Sequence, residues 1–352
     1  MAMLRSQSGK DRGIYVQVPA YRDSELPKTL IDLYAKAEHP ELLRVCVVWQ
    51  RAPDEALPAS VRILPGLELI EVPFEKSRGC NWARHMLQAR WRDEPYTLLI
   101  DSHHRFAPGF DTTLVDMLCG LRSGGVAKPI LTCYLPSYEP DREPGGRKKQ
   151  PYKIYPLGRE QGLLTDLTSH PIPFWKRLRA PIEADFASLH MLFAAGTYNR
   201  EIPFHPAIYF RGDEVVTSLR AYTHGYDMFH PHVIVGWHCY DRKARVPHWN
   251  DHEKWYERHW RSLRIIRQMF RGVYSGEFGV GHARSVKDYE NRICLDLVED
   301  AKVPGQHAAP KGGTGRKAAV DRRLPVEADL RTGARGVGVR VLVPQHGRES
   351  QA

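Results

Sequence analysis

Nowhere in its 352 residues does this chain hold an apolar run near the ~18 residues that a membrane-spanning helix needs. Residues 1–12 carry charge but no apolar stretch of the kind found in a secretory leader. Together these absences lead to the expectation of a cytoplasmic protein without a membrane span. Cysteine is scarce. The six residues Cys46, Cys80, Cys119, Cys133, Cys239 and Cys294 form no CxxC pair, and most lie in apolar stretches. That argues against a zinc site or a disulfide framework and predicts buried free thiols. Internal repeats are also missing.

What is present is ordinary globular material: 42% hydrophobic and 26% charged residues, enough for a sizeable core. The length allows two domains, or one α/β catalytic domain. The net charge of +10 is concentrated late in the chain. From Ala301 onward ten cationic residues face four acidic ones, a surplus of six. Such a balance favours anionic partners, and nucleic acid is expected only weakly, through this tail.

Short apolar runs alternate with helical patterns. Strands are expected at 13–18, 44–49, 66–72, 96–100, 130–135, 186–195 and 233–240. Helices are expected at 27–38, 78–91, 111–121, 212–223, 253–270 and 285–297. This alternation predicts an α/β fold: one twisted, mostly parallel (mixed) sheet with helices on both faces. Segment 137–169, rich in Pro, Gly and charge, is expected to be a long loop. The organisation follows as a flexible N-terminus at 1–12, a catalytic domain at 13–298 and a basic, disordered tail at 299–352. In such sheets ligands bind beyond the carboxyl ends of the strands, where Asp101 and the loop 19–23 fall.

The chemistry concentrates in two places. Leu98-Leu99-Ile100 delivers Asp101, Ser102 and His103 at a strand end. Extended geometry puts Asp101 and His103 on one face. One carboxylate with one imidazole is half a metal site, suited to Mn²⁺ or a similar divalent ion. A carboxylate after a buried strand also serves as a helix cap or turn former, so the triplet alone leaves both readings open. His104 faces the other way and is expected to be structural. The second place opens with Gly212-Asp213-Glu214 and closes with Trp237-His238-Cys239-Tyr240. Seven of the 17 histidines fall between His224 and His259. Asp213 and Glu214 sit in a first helical turn, where acids also complement the helix dipole. His238 lies on an apolar strand and would complete a three-ligand set with Asp101 and His103.

These motifs resemble a known family: the cytoplasmic N-acetylglucosaminyltransferases that modify hydroxyproline on a ubiquitin-ligase adaptor, with their bacterial relatives. The chain is also distantly similar to the polypeptide N-acetylgalactosaminyltransferases. The matching stretches are Val18-Pro19-Ala20-Tyr21-Arg22-Asp23, Ala83-Arg84, Ile100-Asp101-Ser102-His103-His104-Arg105-Phe106 and Gly212-Asp213-Glu214. Further on they are Arg220-Ala221-Tyr222-Thr223-His224-Gly225-Tyr226-Asp227, Trp237-His238-Cys239-Tyr240, and Arg284-Ser285 with Tyr289. The resemblance implies a GT-A fold and a retaining transfer of a sugar, GlcNAc foremost, from a UDP-sugar to a protein or peptide hydroxyl. It implies a metal held by Asp101, His103 and His238. It implies donor contacts from Tyr21, Arg22, Asp23, Arg84, Asp101 and Ser102, and puts Asp213 and Glu214 beside the sugar or acceptor. Arg242 is added as a cation that could assist the leaving diphosphate. This chain departs from the family in having Asp213 where a Glu is usual and His104 where Met is common.

Two other classes compete. A metal-dependent phosphohydrolase or nuclease would use the same Asp and His residues, although two-metal hydrolases generally need more carboxylates. A non-catalytic nucleic-acid-binding protein would draw on the basic charge, which the tail concentrates away from any folded groove.

Overall fold

The computed structural model describes residues 12–242 and 245–299. Its frame is an eight-stranded sheet. The first half of the chain runs β1 (Ile14–Tyr21), α1 (Leu26–Lys36), β2 (Leu43–Arg51), β3 (Leu67–Pro73), α2 (Cys80–Gln88), β4 (Tyr96–Ile100), β5 (His104–Phe106), α3 (Phe110–Ser123) and β6 (Pro129–Thr132). The second half runs β7 (Tyr152–Glu160), β8 (Leu163–Pro171), β9 (Ile182–Ala184), β10 (Met191–Ala195), α4 (Asp213–Thr223), β11 (Asp227–His230), β12 (Gly236–His238), α5 (Trp255–Phe270) and α6 (Val286–Ile293).

The large sheet has the order β3-β2-β1-β4-β10-β6-β11-β9. Pairing is parallel through β3-β2-β1-β4 and between β6 and β11, while β10 and β9 run antiparallel to their neighbours. Strands buried on both faces read as unbroken apolar runs, and in β1 Ile14, Tyr15, Val16 and Val18 are all buried. Helix α1 presents Leu26, Leu30 and Leu33 on one stripe, at the spacing its 3.6-residue period requires. On one face these leucines pack with Val16, Val45, Val47 and Leu98. On the other, Leu99, Ile130 and Leu192 pack with Val215, Leu219 and Ile266.

The expected elements are largely present, with corrections. The segment 137–169 is not one long loop: β7 and β8 form an antiparallel hairpin across most of it. Ile154, Leu163, Leu164 and Leu167 are buried in it, so the Pro and Gly content concealed an apolar contribution to the core. The expected strand at 186–195 is confined to Met191–Ala195, and the one at 233–240 to Gly236–His238. All six cysteines are free as expected, but of these Cys46, Cys133 and Cys239 are buried, Cys80 and Cys119 are partly buried and Cys294 is exposed. The flexible N-terminus and basic tail expected from the sequence lie, apart from Arg12 and Glu299, outside the described residues. Among the described residues no helix is long and apolar enough to cross a membrane.

Candidate metal and donor site

The site forms where β4 ends. The chain leaves Ile100 and turns through Asp101, Ser102 and His103 before β5. Thr29 of α1 holds this turn. Its hydroxyl donates to the Ser102 carbonyl at 2.8 Å and accepts from the His104 amide at 2.9 Å. Strand β5 pairs with β12, which sets His238 opposite His104. Two elements remote in sequence thus bring Asp101, His103 and His238 together, with one ligand atom from each within 4.8 Å of the others. The Asp101 carboxylate lies 3.3 Å from His238 Nε2 and 3.7 Å from His103 Nε2.

The protonation pattern suits a cation. His103 Nδ1 donates to Asp23 at 2.7 Å, so its Nε2 carries the lone pair. That buried Nε2 has no hydrogen-bond partner, and neither has the buried Nδ1 of His238. Burial drives His238 well below the usual imidazole range, keeping it neutral and able to ligate. Burial opposes the charge on Asp101, yet His103 and Arg84 hold its carboxyl below the usual range. An anionic oxygen beside the bare Nε2 of His103 and the Nε2 of His238 is a donor set for a divalent ion of the Mn²⁺ type.

His104, expected to be structural, is buried, and its Nδ1 donates to the Asp101 carbonyl at 2.9 Å. Its ring nevertheless packs 5.0 Å from that of His238. Arg84 does not stand free for a phosphate. It donates to Asp213 at 2.8 Å, to Asn81 at 3.0 Å and to the Leu189 carbonyl at 3.2 Å, and lies 3.9 Å from Asp101. It therefore bridges the metal carboxylate to the first turn of α4. Gly212 caps that helix with φ +82°, a conformation that favours glycine. Next in the turn, Glu214 accepts from the Leu189 amide at 3.0 Å and from the Tyr134 hydroxyl.

Asp23 and Ser102 are placed behind the ligands. Asp23 accepts from His103, from the Ser102 hydroxyl at 2.6 Å and from the Glu25 amide at 2.9 Å. Burial opposes its charge, but these donors hold its carboxyl below the usual range. Tyr21 donates to Asp251 at 2.7 Å, and Arg22 donates to the same carboxylate at 2.8 Å. Arg242 lies 5.1 Å over the Trp249 ring.

Several residues escaped the sequence reading. His190 stacks on His238 with centroids 4.2 Å apart and accepts from the Leu135 amide at 3.1 Å through Nε2, which puts its proton on Nδ1. A histidine inside a supposed buried strand was the available signal. Tyr240 packs its ring 4.4 Å from that of His238. Arg245 pairs by a β-bridge with Asp23 and donates to the Cys239 carbonyl at 3.3 Å. Its positive charge disfavours protonation of His238 and His104.

Burial and the neighbouring Asp213 push the Glu214 carboxyl up to about 7 from an ordinary 4.5. Between these values the folded chain keeps a proton that the unfolded chain releases, so this group makes stability fall as pH rises through that window. Glu214→Gln removes the penalty: its amide can donate to the Tyr134 oxygen while its carbonyl still accepts from Leu189. We expect the melting temperatures of variant and wild type to be similar near pH 5 and to diverge in the variant's favour above pH 7. The gap corresponds to at most roughly 3 kcal/mol. An identical difference at both pH values would contradict the assignment.

Comparison with known proteins agrees with this architecture. A family model described as Glycosyltransferase (GlcNAc) matches residues 13–66 and 59–299. No curated protein matches. The crystal structure of GalNAc-T7 with UDP, GalNAc and Mn²⁺ is similar at a TM-score of 0.53 and 12% identity, over 81% of this chain and 55% of that one. This chain therefore spans about half the length of that protein. Structures of Staphylococcus aureus TarS 1-349 with UDP-GlcNAc and of the Pyrobaculum calidifontis mannosyltransferase PcManGT with GDP-Man and Mn²⁺ are each 15% identical. They cover 75% of this chain and 68% and 64% of theirs, with TM-scores of 0.46 and 0.44. The fold is α/β of the GT-A type, as the sequence led us to expect.

Proposed function

Because this chain belongs to the Glycosyltransferase (GlcNAc) family, we propose that it is a metal-dependent, retaining transferase that moves GlcNAc from UDP-GlcNAc to a hydroxyl of a protein or peptide. The family description supports GlcNAc. The observation that carries the metal is the convergence of Asp101, His103 and His238 at the end of β4. These three residues would hold a divalent cation, Mn²⁺ foremost. When bound, the ion would neutralise charge developing on the departing diphosphate.

The surrounding residues have separate tasks in this scheme. Asp23 fixes the tautomer and orientation of His103, as outer carboxylates do for metal-bound imidazoles. Arg84 joins Asp101 to Asp213 and so aligns the metal carboxylate with α4. Arg245, rather than Arg84, is the cation we assign to the leaving UDP, because Arg84 is buried and ion-paired with Asp213, whereas the Arg245 contact is to the Cys239 carbonyl. Tyr21 and Arg22 would meet the nucleotide at the mouth of β1. Asp213 and Glu214 would bind sugar hydroxyls and stabilise positive charge developing on the ring. Among the described residues the cluster holds one carboxylate and two imidazoles, not the paired carboxylates that two-metal hydrolases use.

The test is release of UDP by the full chain with Mn²⁺ and a panel of UDP-sugars, followed by transfer of labelled sugar to peptide acceptors. We expect UDP-GlcNAc to be turned over at least tenfold faster than UDP-GalNAc or UDP-glucose. Preference for another UDP-sugar would correct the donor. Failure to bind UDP at all would remove the proposal.

A further inference from the structure

The hairpin β7–β8 brings together two stretches far apart in the chain. Strand pairing sets Tyr152 opposite Pro171 and Lys153 opposite His170, and the Ile172 amide donates to the Pro151 carbonyl at 2.9 Å. Neither 147–153 nor 170–181 contains an acid, and besides Arg147 they hold Lys148, Lys149, Lys153, Lys176, Arg177 and Arg179. Acids of the preceding turn are matched locally, Glu143 by Arg147 and Glu139 by Arg142. The patch beyond them is therefore strongly cationic.

At its tip stands Phe174, 76% exposed and held at φ 53°. A bulky residue at positive φ is uncommon, and this one gains no burial from the fold. Trp175 follows it, with Lys176 and Arg177 alongside in the same loop. Pro171, Pro173 and Pro181 restrict the backbone on either side.

We propose that this loop is a peripheral membrane contact: Phe174 and Trp175 enter the headgroup region of an anionic bilayer while the surrounding Lys and Arg residues meet its phosphates. An exposed Phe174 with a half-buried Trp175 beside it, amid cations, is the composition that lies in a membrane interface. Each such cation adds about fivefold to partitioning onto an anionic leaflet. A nucleic acid fits less well. Base stacking needs open ring faces, whereas Arg177 lies 5.4 Å over Phe174 and Lys176 5.8 Å over Trp175. The contact would bring the chain to a membrane without a spanning helix. It does not depend on the transfer reaction.

The test is co-sedimentation of the full chain with vesicles of phosphatidylcholine alone, or with phosphatidylserine added. We expect binding only to the anionic vesicles. Lys176→Gln with Arg177→Gln should lower partitioning about thirtyfold, and Phe174→Ser about tenfold or more. Arg122→Gln, an exposed charge at the end of α3, should leave it within about twofold. Three results would overturn the proposal. One is no binding to either vesicle. Another is binding that ignores the loop variants, which would assign it to the basic residues after Ala301. The third is loop-dependent capture by immobilised poly-glutamate without vesicle binding, which would indicate an acidic polypeptide as the partner.

Discussion

Asp101→Asn is expected to cut Mn²⁺-dependent UDP release at least about a thousandfold while leaving the fold intact. The carboxylate is the only anionic member of the cluster, and both imidazoles converge on its oxygen at 3.3 and 3.7 Å. An amide there removes the charge that a divalent ion needs. Lewis-acid stabilisation of a departing diphosphate is worth several kcal/mol, and each 1.36 kcal/mol is tenfold in rate. Stability should change little: Arg84 keeps Asp213 at 2.8 Å, and Asn fills nearly the same volume. His238→Asn should lose activity similarly but also melt earlier, because its ring packs among those of His103, His104, His190 and Tyr240. Truncating a buried ring leaves a void costing roughly 2–4 kcal/mol. Titration of Mn²⁺ into both variants supplies a readout independent of turnover. If Asp101→Asn binds Mn²⁺ as wild type does and releases UDP within tenfold of it, the metal assignment is wrong.

The frame of this site was legible because it follows from local pattern. Strand β4 is an apolar run with a polar end, and its bounds, Tyr96–Ile100, are those expected. Asp213 and Glu214 follow a glycine that opens a helix, which the sequence also displays. What stayed hidden depends on long-range pairing. β10 runs antiparallel beside β4, with Met191 opposite Ile100, so the start of a late strand lands where an early one ends. No local periodicity reports such a reversal, and His190 was hidden with it. The segment around Arg245 is tied to the site by its bridge to Asp23, a pairing with over 200 residues between the partners.

Shared motifs also mixed two kinds of residue. Arg220 stands in one of the longest matching stretches, yet its buried guanidinium donates to the carbonyls of Gly279, Pro203 and Glu277. Tyr289 is likewise buried and donates to the Asp185 carbonyl at 2.8 Å. These residues hold loops together, and only their partners reveal it. Arg84 is the intermediate case. It lies at the site, but it is spent on carboxylates and a carbonyl.

Asp23 gives the sharpest separation between holding a ligand and holding the fold. Both of its oxygens accept: one from His103 and Ser102, the other from the Glu25 amide. Asn cannot serve both sides. With its oxygen toward His103, its NH₂ meets the Glu25 amide donor to donor. With its NH₂ toward His103, the imidazole must expose a lone pair at Nδ1 and carry its proton on Nε2. That proton would occupy the ligating nitrogen. Asp23→Asn should therefore weaken Mn²⁺ binding by about 10–100-fold, the usual cost of losing an outer carboxylate. Saturating Mn²⁺ should restore most of kcat, because all three ligands remain. A purely structural role would instead lower the melting temperature and leave the Mn²⁺ affinity of the folded fraction unchanged. An affinity within twofold of wild type would sink the positioning role, and Asp23 would then return to the nucleotide contacts that its motif first suggested.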